Sequence, residues 1–151
     1  MQSKPVISIQ DMVHKKSILK KTECLKWLVP VIDKNAEITI RIVDSEESKS
    51  LNNMYRKKNY STNVLSFLID ETSHLIGDIV LCAPVIEKEA FEQAKSIEAH
   101  YAHLIIHGAL HLYGYDHENK KDADMMEAKE IKILSGLGFK NPYLIEESKS
   151  R

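Results

Sequence analysis

Apolar and polar residues alternate at two periods along this chain, and the switches between the periods divide it into strands and helices. Residues 6–10, VISIQ, and 37–43, EITIRIV, set apolar side chains at alternating positions, the pattern of a half-buried strand. Residues 63–69, NVLSFLI, and the segment IGDIVLC that starts at Ile76 read as a third and a fourth strand. The polar turn DETSHL separates these two, so they are expected to pair as a hairpin-like unit. Helical spacing shows over 17–29, where Ile18, Leu19, Cys24, Leu25, Leu28 and Val29 punctuate a basic segment that stops near Pro30 and Asp33. Asp44 or Ser45 caps a helix that runs to about Tyr55. Pro84 suits a first helical turn, and helix-forming residues follow it through Ser96. The next helix spans roughly 97–112, with Ala102, Leu104, Ile105, Ala109 and Leu110 apolar on enough sides to predict near-complete burial. A last helix, Asp122 to Leu134, ends near Gly136 and Gly138 and carries Met125 and Met126 as core or surface residues.

Composition narrows the class. At 151 residues and 17.3 kDa the chain fits one domain, placed at 1–145, with 146–151 as a disordered tail. A content of 43% hydrophobic and 28% charged residues excludes a disordered or fibrous protein. With a net charge of −1 no whole-molecule field attracts nucleic acid, so affinity for RNA has to come from a local patch. The opening MQSKPVISIQDM lacks the apolar core of a secretory signal, and no later run is long enough for a membrane span, so a cytoplasmic location is expected. Cys24 and Cys82 stand far apart without paired spacing and are expected to be buried, reduced thiols.

The chemistry concentrates in HGALHLYGYDHE. His107 and His111 lie four residues apart, so on a helix they share one face about 6 Å apart along the axis and can aim at one point. A third ligand from the same helix, such as His103, would sit a further turn away, out of range of metal–nitrogen bonds of about 2.1 Å. Gly114 permits the positive backbone angle that ends a helix, and His117 follows where the returning chain can present it. Three neutral imidazoles leave an ion its full charge and an open position, which is the arrangement of a catalytic zinc and not of a closed structural site. Water on such an ion ionises near neutral pH. The same spacing occurs in metzincin peptidases, where a Glu after the first His acts as general base; Gly108 stands there in this chain, which weakens a peptidase reading. His100 and His103 are set apart from the triad, His103 as a core histidine or a hydrogen-bond partner of the ligands, while His14 and His74 are expected in solvated loops.

A second constellation, Arg56, Lys57 and Lys58 between Tyr55 and Tyr60, joins a helix end to a strand. On its own it reads as a solvated basic helix terminus. It can also bind phosphate, because a guanidinium presents a planar fork of donors to equatorial oxygens.

Taken together, the motifs resemble the bacterial YbeY family of rRNA-maturation endoribonucleases, from about Ile38 to Glu118. The likeness is carried by Leu51, Asn52, Tyr55 and Arg56, by Thr62, Val64, Leu65, Ser66 and Phe67, by Gly77, Asp78 and Ile79, and by HGALHLYGYDH from His107 to His117. It implies metal ligation by His107, His111 and His117 and a catalytic cation at Arg56. It also implies a mixed sheet of about four strands flanked by helices, a cytoplasmic location, and work on the small ribosomal subunit and its RNA. Two positions depart from the family pattern: Lys57 replaces a usual Gly, and Asn63 replaces a usual Asp before the VLSF strand.

The resulting expectation is an α+β protein with one zinc ion placed, as in zincins, on a central helix. Its activity would be metal-dependent cleavage of single-stranded RNA in maturation and quality control of ribosomal RNA, especially the 3′ end of the small-subunit RNA. Zinc and nickel both suit the imidazoles. No membrane or DNA partner is expected. Asp78 and Asp116 are the nearest carboxylates by motif, as partners of a ligand ring or as proton acceptors. The competing readings are a metzincin-like metallopeptidase and a non-catalytic ribosome-assembly factor whose metal only braces the fold.

Overall fold

The computed structural model describes residues 4–144; the expected tail at 146–151 lies outside them. Among the described residues the elements run β1 (Val6–Asp11), α1 (Lys21–Leu28), β2 (Glu37–Val43), α2 (Ser45–Arg56), β3 (Val64–Asp70), β4 (Ile76–Cys82), α3 (Ala83–Glu92), α4 (Ile97–Leu112) and α5 (Lys120–Gly136). The four strands form one mixed sheet in the order β1-β2-β4-β3, so the fold is α+β as expected. β1, β2 and β4 are mutually parallel, whereas β3 returns antiparallel along β4 as the hairpin and occupies the sheet edge. A register irregularity falls between Leu68 and Asp70, just before the turn.

Strand alternation sorts side chains between two faces. Ile38, Ile40 and Ile42 of β2 and Ile79 and Leu81 of β4 join the large core, which also takes in Trp27 and Leu28 of α1, Ile105 and Ile106 of α4, and Met126, Ile133 and Leu134 of α5. On the opposite face Val43, Leu65 and Val80, with Leu51 and Phe67 packed against them, form a smaller cluster under α2. Helix α4 is the central strut, buried from His100 to Leu112 apart from His107 and His111, and in contact with α1, α3, α5, β3 and β4. Its fit to the sheet depends on Gly108. A Cβ there would stand 3.0 Å from both Ile79 Cγ2 and Ser66 Oγ, and the Ser66 hydroxyl donates to the Gly108 carbonyl at 2.9 Å. Position 108 therefore faces the sheet.

Several expectations are corrected. The helix expected over 17–29 begins only at Lys21, because the Asp11 carboxylate accepts the backbone N–H groups of Val13, His14 and Ile18 and folds that stretch into a loop. His14 and His74 are not simply solvated. His14 Nδ1 lies 2.9 Å from Asp11 Oδ2, and His74 Nε2 is hydrogen-bonded to Glu37. The helix after Pro84 stops at Glu92, and Ala94 takes a left-handed conformation at φ 53° before Ser96 caps α4 by accepting from the Ala99 N–H. The last helix ends at Gly136, as expected, but starts at Lys120 rather than Asp122, since Asn119 caps it by accepting from the Asp122 N–H. Met125 is exposed and Met126 buried, and Cys24 and Cys82 are buried free thiols.

Both departures from the family pattern have visible physical consequences. Lys57 is the C-cap of α2 and adopts φ +60°, a left-handed conformation natural to glycine and strained for a side chain. Asn63 Nδ2 donates to the Glu89 carboxylate at 3.0 Å, a contact that an Asp at 63 would turn into a charge repulsion. Lys57→Gly is expected to raise unfolding stability by about 0.5–1 kcal/mol, as relief of the strained cap outweighs the added backbone entropy of glycine, read from the shift in urea midpoint.

Candidate metal centre

Helix α4 ends where it must for a third histidine to return. The Tyr113 and Gly114 amides close on the last-turn carbonyls, Gly114 takes φ +94°, and the Tyr115 N–H reaches back to the Leu110 carbonyl at 3.1 Å. The reversal brings His117 to the face that carries His107 and His111. Ring centroids are 4.7 Å apart for His107 and His111, 4.8 Å for His111 and His117, and 5.4 Å for His107 and His117. One nitrogen from each ring lies within 4.8 Å of the others. His107 Nε2 and His111 Nε2 are 3.2 Å apart, near the separation of about 3.4 Å that two tetrahedral bonds of about 2.1 Å impose. The Asp116 carboxylate accepts from the His117 backbone N–H at 2.7 Å and so holds the returning loop; it bonds to no imidazole.

The side chain that orients the cluster is Glu130 of α5, which sequence reasoning missed. It is fully buried, and its two oxygens accept from His107 Nδ1 at 2.9 Å and from His103 Nε2 at 2.6 Å. The Tyr143 hydroxyl adds a third bond at 2.5 Å. Burial alone would push this carboxyl up, yet the bonds from His103 and His107, the charge of His107 and the Tyr143 bond outweigh it and hold Glu130 at about 2. An ionised carboxylate only accepts, so His107 carries its proton on Nδ1 and turns the lone pair of Nε2 toward His111. His103, His107 and Glu130 form a second group of ligand-type atoms, but 2.6 and 2.9 Å are hydrogen-bond spacings that leave no room for an ion between the atoms. The available signal was one of phase: Glu130 falls in the apolar stripe of Met126, Ile133 and Leu134.

Electrostatics favour a neutral ring at His111. Burial, followed by the charges of His107 and His117, pushes His111 down to about 4, so its ring is unprotonated at neutral pH. Burial also lowers His103, against the raising effect of its bond to Glu130; through Nε2 it serves as an inner hydrogen-bond partner of the carboxylate that orients His107.

Arg56 and Asp78 lie elsewhere. Arg56 lines a broad groove with Tyr55, Lys58, Phe67, Leu68 and Asp78, and its guanidinium has no ion pair among the described residues. Tyr55 packs against Phe67 with ring centroids 5.0 Å apart. Asp78 pairs across the ladder with Phe67 on the α2 face of the sheet, opposite Ile79 and α4, so it is no partner of a His ring. Burial pushes its carboxyl up. The groove and a second pocket that contains His111 and His74 meet at Leu68 on the edge strand. The structure thus gathers the three histidines at one point and sets Arg56 in an adjoining groove.

A four-stranded mixed sheet with a partly exposed cluster of two imidazoles from the central helix and one from the segment that follows it defines an α+β protein with a site able to take a divalent ion. The family model described as Endoribonuclease YbeY matches residues 8–138, and the chain belongs to that family. It is similar to the Endoribonuclease YbeY of Polaromonas naphthalenivorans, with 48% identity over 88% of this chain and 89% of that protein. To its counterpart in Burkholderia pseudomallei it is 52% identical over 86% of this chain and 72% of the other. The solution structure of TM1509 from Thermotoga maritima superposes with a TM-score of 0.57 at 28% identity, covering 88% of this chain and 92% of that one.

Two outcomes follow for chelator-treated protein, in which no ion contributes. Glu130→Gln places an amide donor against imidazole or phenol donors in a closed interior, and should cost at least about 2 kcal/mol of unfolding free energy in urea. The neutral His111 ring is disfavoured from charging only in the fold. Stability should therefore be fully present above the unfolded value of 6.5 and decline as pH falls toward about 4. His111→Leu should flatten that part of a stability profile measured from pH 8 to 4.

Proposed function

We propose that this chain is a metal-dependent, single-strand-specific endoribonuclease, with residues 1–145 as one catalytic domain and zinc held by His107 and His111 of the central helix and His117 of the returning segment. The convergence of three imidazoles, one of them oriented by a buried carboxylate, carries this reading. The donor set fits a divalent ion: His111 is held unprotonated at neutral pH, the ring nitrogens are closely spaced, and the cluster is open enough for water and substrate to enter. A bound ion supplies Lewis acidity, polarising a phosphoryl oxygen and acidifying water.

The protein's own groups do the rest. Glu130 fixes the tautomer and aim of His107, and Asp116 pins the backbone of His117. Arg56, at the C-terminal end of α2 and with no ion pair among the described residues, lines the groove along β3 and stabilises charge that builds on the phosphodiester oxygens. Tyr55 and Lys58 on the same groove offer a stacking surface and a second cation, which suits unpaired RNA. Position 108, where a metzincin carries its general base, is closed against Ile79 and Ser66, which argues against peptide hydrolysis. The family relationship extends the reading to a cytoplasmic role in maturation and quality control of ribosomal RNA, with the small subunit as partner and the 3′ end of its RNA as substrate.

Metal analysis and cleavage of a single-stranded RNA by wild type, His111→Ala and Arg56→Ala test the proposal together. His111→Ala should lose the ion and all cleavage, whereas Arg56→Ala should keep ion and fold and lose roughly a hundred- to a thousandfold in rate. Undiminished cleavage by Arg56→Ala removes that residue from the mechanism. Turnover of peptides but not RNA restores the peptidase. A protein that cuts neither, and that unfolds on loss of His111, is the non-catalytic assembly factor.

A further inference from the structure

One turn of α4 before His107, His103 borders a cavity of about 300 Å3 that the proposed reaction does not use. Lys95, Ser96 and Ala99 at the start of α4 form one side of it, and Leu134 and Phe139 are among its apolar walls. Two buried nitrogens in this lining lack a hydrogen-bond partner among the described residues: Lys95 Nζ and His103 Nδ1. His103 is only 8% exposed, so bulk solvent does not stand in for the missing partner.

The two orphans differ in what they ask for. An ammonium withdrawn from water needs a counter-charge, and burial pushes the Lys95 amine below its ordinary range despite the offsetting charge of Glu89. The first turn of the 16-residue helix α4 adds to the positive potential, because Ser96 caps the Ala99 amide and leaves the earlier amides outside the helical ladder. His103 is the opposite case. Its Nε2–H is committed to Glu130, so the neutral ring offers a lone pair at Nδ1 and requires a donor. The complement to both is a single group with anionic oxygens and one acidic hydroxyl.

We propose that this cavity binds a monoprotonated phosphate group, as the free ion or at the end of a phosphomonoester, with its anionic oxygens on Lys95 and the α4 N-terminus and its hydroxyl donating to His103 Nδ1. No bond is made or broken. Since His103 and His107 share the Glu130 carboxylate, an occupant is linked to the imidazole cluster through one side chain. The site stands on its own geometry and holds whether or not the chain cuts RNA.

The test is an amide NMR titration of metal-loaded protein with inorganic phosphate, sulfate and ribose 5-phosphate at neutral pH. Phosphate should produce saturable shifts at Lys95, Ser96, Ala99 and His103, and Lys95→Gln should weaken that binding at least about tenfold. Sulfate, which has no hydroxyl to donate at this pH, should bind at least about tenfold more weakly than phosphate. Ribose 5-phosphate that shifts the same amides identifies phosphomonoesters as the occupant, and its exclusion identifies the free ion. Phosphate shifts confined to residues 107–117, no shifts at all as for a cavity holding only water, equal affinity in Lys95→Gln, or equal binding of sulfate would each overturn the proposal. The spectrum of the variant reports its fold, and the sulfate comparison in wild type needs no substitution.

Discussion

The carboxylate of Glu130 is the interaction on which the rest of the site depends. A fully buried anion is tolerable only when donors surround it, and three converge here: two ring nitrogens from α4 and the Tyr143 hydroxyl from the segment after α5. This arrangement joins α5 to α4 by directional bonds where apolar packing alone would leave their rotation loosely defined. It also decides the tautomer of His107, because an acceptor on Nδ1 leaves the Nε2 lone pair as the only outward-facing site. A cation at the cluster would face a ring that is polarised and held before it arrives.

The approach of α4 to the sheet is the second constraint. Gly108 lets the helix settle against Ile79 and Ser66, and His107 and His111, about 60–100° round the helix from it, emerge at the side of that contact. A side chain at this position would have to displace strand atoms before it could approach a ligand. The same residue that makes the chain unlike a metzincin in sequence therefore has a packing role that explains its presence. At the far end of α4, Gly114 supplies the left-handed turn without which His117 could not return.

The groove on the edge strand follows a different logic. Its cations are set by the C-terminal end of α2, where Lys57 accepts a strained left-handed conformation to close the helix. Asn52 and Ser48, both buried, tie the following loop back through bonds to the carbonyls of Tyr60 and Thr62. Arg56 thus sits on a restrained turn and not on a frayed helix end, although its guanidinium has no ion pair among the described residues. That combination of fixed backbone and unsatisfied charge separates it from an ordinary solvated basic terminus.

Much of this was legible in the chain itself. Strand alternation, the apolar circumference of α4, the four-residue spacing of His107 and His111 and the glycine before His117 are local patterns, and local geometry realises them wherever the segment is placed. Where local patterns compete, tertiary contact decided. Residues 17–20 have helical composition but are drawn into a loop by Asp11, seven residues from Ile18, and Asp78 lies on the wrong side of the sheet for the role its motif suggested. Glu130 was hidden for the same reason. A carboxylate within an apolar stripe looks like a defect until the donors that justify it are known, and those donors come from residues 13 to 27 positions away in the chain. Sequence spacing specifies which side chains one helix can bring together; which distant side chain meets them depends on how the helices pack, and no single segment encodes that.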